Sequence, residues 1–312
     1  MPKHVVQSPE WAEFKIKYGT PAIESGGVIY TKHKIPFTSS YFAYCPKIVP
    51  EDVDFVALKK SLNEQDCVSI NFDVPNVILG SDQEKSSLAV FNKLGCVKSP
   101  RNQFALASII MDLTKSEDDL LANMHPKHRY NTLYSQKKGA YVKKAEIDAD
   151  FNDFFKLFED TAKRQKYYIR PYDYYKTLWD MFKPRGMSEI LTAYYNNQPL
   201  ASWMFLKYED VLYYPYGGSS EEIKNIHASN LVAWEGIKLG KQLDCKVFDM
   251  WGASEDINDT SDPWWGFTNF KLKFGGTYVK YLDSYDLVIN EPVYRMFNLA
   301  NNVRWKLLKA LA

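Results

Sequence analysis

Apolar residues recur at two different spacings along the second half of the chain. From Phe151 to Gln165 and from Tyr172 to Phe182 they recur at helical spacing, which predicts two amphipathic helices. The spacing then changes, and three apolar runs joined by short turns predict an antiparallel meander of strands: Glu189 to Tyr195, Pro199 to Tyr208 and Val211 to Tyr216. A helix over Ser229 to Leu243 and a buried strand over Lys246 to Met250 are predicted to follow.

The first half repeats this order more faintly. Its pattern predicts strands, then a helix with an acidic first turn, then a buried strand ending at Asp73: Gly27 to His33, Ser39 to Tyr44, Pro50 to Asn63 and Cys67 to Phe72. The runs ending at Asp73 and at Asp249 both come after a helix, so two copies of one helix-on-sheet module are the economical interpretation. A chance similarity of two ordinary halves is the alternative. The predicted fold class is α+β, built from acyltransferase-like (GNAT-type) modules.

Composition removes several classes of function. The chain has 312 residues and a net charge of +1, so no global field favours nucleic acid, DNA is not an expected partner, and any RNA contact must come from a local patch. The four cysteines form no CxxC pair, and the five histidines have no metal-binding spacing. No Walker loop or GxSxG elbow occurs, and no metal or cofactor is expected. Without an apolar leader or spanning run, the expected location is cytoplasmic, with peripheral contact at the inner membrane face left open.

One lysine near the C-terminus has the setting of a catalytic group. After the strand ending at Asp249, a polar loop leads to the segment Phe267 to Phe274, which precedes two glycines. Lys271 lies between Phe270 and Phe274, which predicts that its charge is held in partly apolar surroundings and acts strongly on developing negative charge. A surface lysine with its ammonium in water is the alternative.

Eight short motifs in order make the chain resemble a known family. They are QSPEWAEFK, NFDVP, MHPKHRYNTLYSQKKG, KRQKYYIRPYDYY, LYYPYGGSS, HASNLVAWEGI, FDMWG and GFTNFKLKFGG. The chain thus resembles the Fem family of non-ribosomal peptidyl transferases, of the FemX and FemAB type. The resemblance implies transfer of an amino acid from aminoacyl-tRNA to the side-chain amine of a peptidoglycan precursor. It also implies two tandem acyltransferase-like domains with a groove between them, the first from 1–101 plus 281–312 and the second from 102–280.

The resemblance also assigns site residues. Lys15, Arg170, Tyr174 and Tyr216 match positions that hold the diphosphate of a UDP-muramyl-pentapeptide, and charge-assisted donors with neutral phenols suit that group. Each has an ordinary alternative as a solvated, salt-bridged or half-buried residue. Asp73 matches an acid near the acceptor amine, although a strand-end acid also caps turns.

The donor side is assigned in the same way. Phe270 and Lys271 match a pair beside the tRNA acceptor end, where an ammonium stabilises the oxyanion of the tetrahedral centre. Four cations on the basic segment from Pro126 to Gly139 are candidates for tRNA phosphates, with a solvated helix face as the alternative: Lys127, Arg129, Lys137 and Lys138.

Two rival interpretations remain at this point. A CoA-dependent N-acyltransferase would need a glycine-rich pyrophosphate turn, but YGGSSEEIKNIHASN lacks the basic first position and carries Glu221 and Glu222. A non-catalytic protein that binds tRNA or the precursor is the other, although it would have little use for Lys271. The chain also lacks the long helical arm of some Fem proteins. It therefore resembles the short type, whose acceptor is a soluble nucleotide precursor or a lipid-linked one.

Overall fold

The computed structural model describes residues 2–299 of the chain. The chain folds as two compact units. The first consists of Lys3–Leu106 together with the chain from Tyr281, and the second of Ala107–Lys280. Residues 300–312, which the sequence assigns to the first domain, lie outside the described residues.

The first unit is a six-stranded sheet with helices packed on it. Its helices are α1 (Pro9–Lys17), α2 (Phe55–Glu64) and α3 (Asp82–Leu94). Its strands are β1 (Ala22–Ser25), β2 (Val28–Lys34), β3 (Tyr41–Pro46), β4 (Cys67–Asp73), β5 (Val97–Lys98) and β13 (Tyr285–Val288), in the order β1-β2-β3-β4-β13-β5. Strand β4 runs parallel to β3, with α2 as the crossover between them. The predicted strand–helix–strand unit is therefore present.

One predicted helix of this unit was wrong in its first turn. Pro50–Asp52 forms a separate 3-10 turn, after which Val53 and Asp54 are extended and α2 begins at Phe55. The Asp54 side chain accepts hydrogen bonds from the backbone N–H groups of Val56 and Ala57, at 2.9 and 3.0 Å. A capping aspartate satisfies the unpaired donors of a first helical turn, so the helix starts after this acid.

The second unit is a seven-stranded sheet. Its helices are α4 (Glu117–Asn123), α5 (Pro126–Lys137), α6 (Asp148–Gln165), α7 (Tyr172–Phe182), α8 (Ala228–Gln242) and α9 (Trp265–Leu272). Its strands are β6 (Ala107–Asp112), β7 (Tyr141–Lys144), β8 (Ser188–Tyr195), β9 (Gln198–Tyr208), β10 (Val211–Ser219), β11 (Val247–Gly252) and β12 (Thr277–Lys280), in the order β12-β6-β11-β10-β9-β8-β7. The predicted meander is β8-β9-β10, and β11 lies parallel to β10 after the crossover helix α8.

Helices cover both faces of this second sheet. One core cluster joins α8 to the sheet through side chains such as Leu231, Ile237 and Phe248. Helix α6 packs on the other face, close enough that a Cβ at Gly218 of β10 would come within 2.2 Å of the Leu157 carbonyl oxygen. Glycine at this position therefore allows the close approach of helix to sheet.

The predicted α+β class, with a sheet-and-helix module in each half, is confirmed in both units. Among residues 2–299 the longest helix is α6, of 18 residues, so that stretch contains no coiled-coil arm. Within the same stretch, none of the helices combines the length and apolar character needed to cross a bilayer.

Candidate functional site

The second sheet opens between β10 and β11. The two strands pair only from Val211–Tyr213 to Val247–Asp249, although β10 continues to Ser219 and β11 to Gly252. Each strand has a register irregularity there, between Tyr213 and Tyr216 on β10 and between Asp249 and Gly252 on β11. Bulges of this kind bend a strand and redirect its side chains. Beyond Tyr213 and Asp249, β10 and β11 are therefore not paired with each other, although β10 still pairs with β9 and β11 with β6.

Lys271 lies at this opening. This lysine is in the last turn of α9 and is only 7% exposed. Its Nζ donates a hydrogen bond to the backbone oxygen of Gly252 at 2.7 Å. The Nζ also lies 4.8 Å from the ring centroid of Phe267 and 5.5 Å from that of Tyr214. The ammonium is therefore held between aromatic faces and a carbonyl, in the apolar setting predicted from the sequence.

Burial changes the proton affinity of Lys271. Desolvation lowers its pKa from 10.5 to about 7, while the negative charge of Asp249 acts in the opposite direction. Asp249 itself accepts hydrogen bonds from the Ser108 hydroxyl and from the backbone N–H of Trp251. A lysine with a pKa near neutrality can both carry a positive charge and release a proton at physiological pH.

Phe270 fixes the orientation of α9. Its ring packs 5.1 Å from His128 of α5, 5.2 Å from Phe274 and 6.4 Å from Trp203. Burial lowers the pKa of His128 to about 4, with the charge of Lys273 as the next cause, so the imidazole is neutral in this apolar contact. Because Phe270 points into the core, the adjacent Lys271 is directed toward the strand opening.

A second group of predicted residues comes together on the opposite face of the same sheet. Tyr216 packs against Tyr175 and Phe158, with ring centroids 4.9 and 5.9 Å apart, and forms a side-chain hydrogen bond with Tyr174. The Arg170 guanidinium lies 5.9 Å from the Tyr174 ring. Burial, followed by the neighbouring Tyr174 and Tyr175, raises the pKa of Tyr216 well above its usual value, so its hydroxyl stays neutral.

The bulge on β10 separates the two groups. Tyr214 stacks on Trp203 at 3.6 Å, on the α8 side of the sheet, whereas Tyr216 contacts α6 and α7 on the other side. In a regular strand, residues two apart would share a face. The sequence carries a signal for this bulge in Pro215, Gly217 and Gly218, residues that weaken a regular strand and mark irregular ones.

The basic helix is α5, and three of the four predicted cations on it are exposed: Lys127, Lys137 and Lys138. Arg129 is half-buried and donates from Nη1 to the Ala122 carbonyl oxygen at 3.0 Å, so it helps to hold α4 against α5. The helix therefore offers a cationic outer face.

Lys15 and Asp73 belong to the first unit. Lys15 is half-buried in the last turn of α1. Asp73 is 0% exposed, and its carboxylate accepts hydrogen bonds from the Tyr44 hydroxyl, the Gln103 and Phe104 backbone N–H groups and the Ser284 hydroxyl. Its role beside the acceptor amine stays a prediction, and the structure gives it the turn-capping contacts of the alternative interpretation.

Sequence reasoning did not select three residues that shape the lysine site: Tyr214, Gly252 and His128. Tyr214 and Gly252 flank the Lys271 ammonium, and His128 seats Phe270. His128 and Tyr214 lie inside two of the eight motifs, but a motif does not show what its residues contact, and the contacts of these two join positions far apart in the chain.

Comparison with known proteins adds a family to this geometry. The model of the FemAB family matches residues 95–196 and 183–302, which together cover about two thirds of the chain. The chain is 24% identical over 124 residues to the lipid II:glycine glycyltransferase of Staphylococcus haemolyticus (strain JCSC1435). That alignment covers 40% of this chain and spans 29% of the relative's length.

Solved structures share the fold. The crystal structure of FemX superposes with a TM-score of 0.80 at 16% identity, covering 95% of each chain. The structure of L-PGS from Bacillus licheniformis gives 0.58 at 11% identity, covering 95% of this chain and 96% of that one. The C-terminal domain of a putative lysylphosphatidylglycerol synthetase from Agrobacterium fabrum gives 0.59 at 11% identity, over 94% and 92% of the two chains. At these identities the likeness concerns the fold.

Proposed function

Because this chain belongs to the FemAB family, we propose that it is an aminoacyltransferase that moves an amino acid from aminoacyl-tRNA to the side-chain amine of a peptidoglycan precursor stem peptide. The relative that is a lipid II:glycine glycyltransferase supports this class of acceptor. The observation that carries the proposal is the buried Lys271 ammonium at the opening between β10 and β11.

Lys271 suits the chemistry of this transfer. The acceptor amine attacks the ester carbonyl of the aminoacyl group, the carbon–nitrogen bond forms, and the carbonyl oxygen becomes negative. A positioned ammonium stabilises that oxygen best where water is excluded. When the tetrahedral centre collapses, the ribose hydroxyl leaves and needs a proton, while the attacking amine loses one. A lysine whose pKa is about 7 is a suitable donor of the first proton, and the neutral lysine that results can take up the proton that the amine loses.

The absence of a covalent nucleophile in the proposal follows from the substrate. An aminoacyl ester is already an activated acyl group, so a general acid and a positioned amine are enough. The described contacts of Lys271 come from two aromatic rings and one backbone oxygen. These groups bind a cation, and none of them is a nucleophile.

The acceptor is proposed to lie on the α6–α7 side of the sheet. Arg170 is exposed, and the phenol side chains of Tyr174 and Tyr216 lie beside it. The Tyr175 hydroxyl accepts a hydrogen bond from the Arg170 backbone N–H at 3.1 Å, which holds the Arg170 backbone against helix α7. Such a group can grip the diphosphate of a UDP- or lipid-linked muramyl peptide. Lys15 belongs to the first unit, and its contact with a diphosphate stays a prediction.

A direct assay tests the proposal. The protein is incubated with a UDP-muramyl-pentapeptide or its lipid-linked form and a mixture of charged tRNAs, and the product mass is measured. We expect the precursor to gain the mass of one aminoacyl residue, and prior treatment of the tRNA with ribonuclease to abolish the gain. A mass gain of one acetyl group from acetyl-CoA, without tRNA, would instead establish the CoA-dependent activity.

Arg170→Ala is expected to weaken binding of the precursor. The loss of one charge-assisted contact to a diphosphate is worth about 1.5–3 kcal/mol, so the dissociation constant should rise about tenfold or more. Isothermal titration calorimetry with UDP-muramyl-pentapeptide measures it. The matched control is Arg185→Ala, another exposed arginine of the same unit. Equal affinities for the two variants would place the diphosphate elsewhere.

A further inference from the structure

The outer face of α5 has an unusual composition. The helix contains no acidic residue. After Pro126 its exposed positions are Lys127, Tyr130, Leu133, Gln136 and Lys137, and the capping residue Lys138 is exposed as well. Positions 127, 130, 134 and 138 recur every three or four residues, so they form one stripe along the helix. The buried positions of α5 lie on the opposite side and include His128 and Thr132.

Two tyrosines in this stripe form an aromatic platform. Tyr130 is 62% exposed, and its ring stacks on Tyr134 with centroids 5.7 Å apart and planes 25° apart. The Lys138 ammonium lies 5.4 Å from the Tyr134 ring. An exposed ring that is braced from below and flanked by cations is the arrangement on which nucleic acid bases stack.

The platform continues onto the start of α8. The edge of the His227 ring meets Tyr134 at 6.1 Å, and the pKa of His227 is lowered by burial and then by the charge of Lys127. His227 and Lys224 also line a cavity of about 280 Å³ together with Ser219 and Ser229. Two acids border this surface, and each is paired with a lysine: Glu221, which lines the cavity, with Lys224 at 3.0 Å, and Glu235 with Lys238 at 2.6 Å.

The inner face of α5 connects this surface to the reaction site. His128 packs between Phe270 and Phe274 of the lysine-bearing segment, and the His125 backbone N–H donates to the Lys273 carbonyl oxygen at 2.9 Å. A polymer lying on the outer face of α5 is therefore held next to the helix that carries Lys271.

We propose that the stripe Lys127–Tyr130–Tyr134–Lys138 binds the single-stranded 3′ segment of the nucleic acid donor, with one base stacked on Tyr130 and the lysines on its phosphates. This inference rests on the proposed function for the identity of the donor. An anionic bilayer is the competing partner for a basic helix, but helices that lie in a bilayer bury a broad apolar face. On α5 the large exposed apolar side chains are Leu133 and Tyr130, and two side chains do not make a broad apolar face.

Fluorescence anisotropy with a labelled single-stranded RNA oligonucleotide tests the inference. Tyr130→Ala should weaken binding about tenfold, since one base–aromatic stack is worth about 1–3 kcal/mol, and Tyr130→Phe should restore it because the ring alone is needed. Lys127→Gln should lower the slope of log affinity against log salt by about 0.7. The matched control is Tyr141→Ala. Tyr141 is 46% exposed and stacks on Tyr194 at 5.6 Å, in the same unit but on β7.

The outcomes separate this inference from the proposed function. Equal losses in the Tyr130 and Tyr141 variants, or binding of blunt duplex RNA as tight as that of the single strand, would overturn it. So would Tyr130-dependent binding to vesicles containing phosphatidylglycerol without any to RNA. If the Tyr130→Ala variant transfers the aminoacyl group at the wild-type rate and with the wild-type KM for tRNA, the inference about α5 is wrong and the proposed function stands. Tyr130-dependent RNA binding without any transfer would keep it and sink the proposed function.

Discussion

Lys271→Met is expected to lower turnover severely and, at the same time, to stabilise the protein. Removal of one group that stabilises an oxyanion lowers turnover by about 10²–10³-fold. Burial lowers the pKa of Lys271 from 10.5 to about 7, which corresponds to about 5 kcal/mol of unfavourable free energy in the folded state at low pH. Methionine removes that cost but leaves the Gly252 carbonyl oxygen without this donor, at about 1–3 kcal/mol. The free energy of unfolding should therefore rise by about 2 kcal/mol near pH 6.

The pH dependence of this stabilisation has a definite sign. Above a pH of about 7 the folded protein releases the Lys271 proton, whereas the unfolded chain keeps it up to 10.5. Wild-type stability therefore rises with pH, relative to the variant, across this window, and the advantage of Lys271→Met should shrink. Urea unfolding at several pH values measures the difference.

The control for both effects is Lys246→Met, because the side chain of Lys246 is 70% exposed and pairs with Asp210 at the surface. This variant should leave turnover unchanged and the free energy of unfolding within about 0.5 kcal/mol of wild type. A Lys271→Met protein that is less stable than wild type at every pH would show that burial of the charged ammonium does not destabilise the folded protein. One with wild-type turnover would remove Lys271 from the chemistry.

The elements that the sequence predicted well are those with a clear period. Tyr172–Phe182 begins and ends where its apolar spacing does, and the meander β8-β9-β10 follows its turn residues. Helix α3 (Asp82–Leu94) was not predicted, since only two of its residues, Ser87 and Phe91, are buried and its apolar stripe is narrow. The Pro50 helix was extended by one turn because acidic residues before Asp54 resemble a first turn.

The sequence predicted which residues belong to the candidate site but not which residues they contact. The Phe270–Lys271 pair indicated apolar surroundings, but the partners of Lys271 come from β10 and β11, at Tyr214 and Gly252. Two bulges bring them there, and bulges depend on pairing between strands that a single sequence does not reveal. For the same reason, Arg170 and Tyr216 were predicted to act together without any indication that the β10 bulge places Tyr216 on the face opposite Tyr214.

Asp73 shows the converse: the sequence offered turn capping as the alternative role of this strand-end acid, but not which segments its carboxylate would hold. Its donors come from positions 44, 103, 104 and 284, so three separate segments meet at one carboxylate. The Ser284 hydroxyl also accepts from the backbone N–H of Val74, whose φ of 44° is unfavourable for a β-branched residue. The carboxylate therefore holds a strained strand end, the 103–104 segment and the return of the chain to the first unit.

Asp73→Asn is expected to lower the free energy of unfolding by about 3–5 kcal/mol, because the amide nitrogen would face donors instead of accepting from them. Urea unfolding measures the loss. Asp286→Asn is the matched control: Asp286 is also buried in this unit, and accepts from Asn71 and Tyr294. Burial, together with the charge of Asp73, raises the pKa of Asp286, so its amide should cost much less. Equal costs would mean that the Asp73 contacts are weak. An Asp73→Asn protein that is stable but has no turnover would instead support the predicted role of Asp73 beside the acceptor amine.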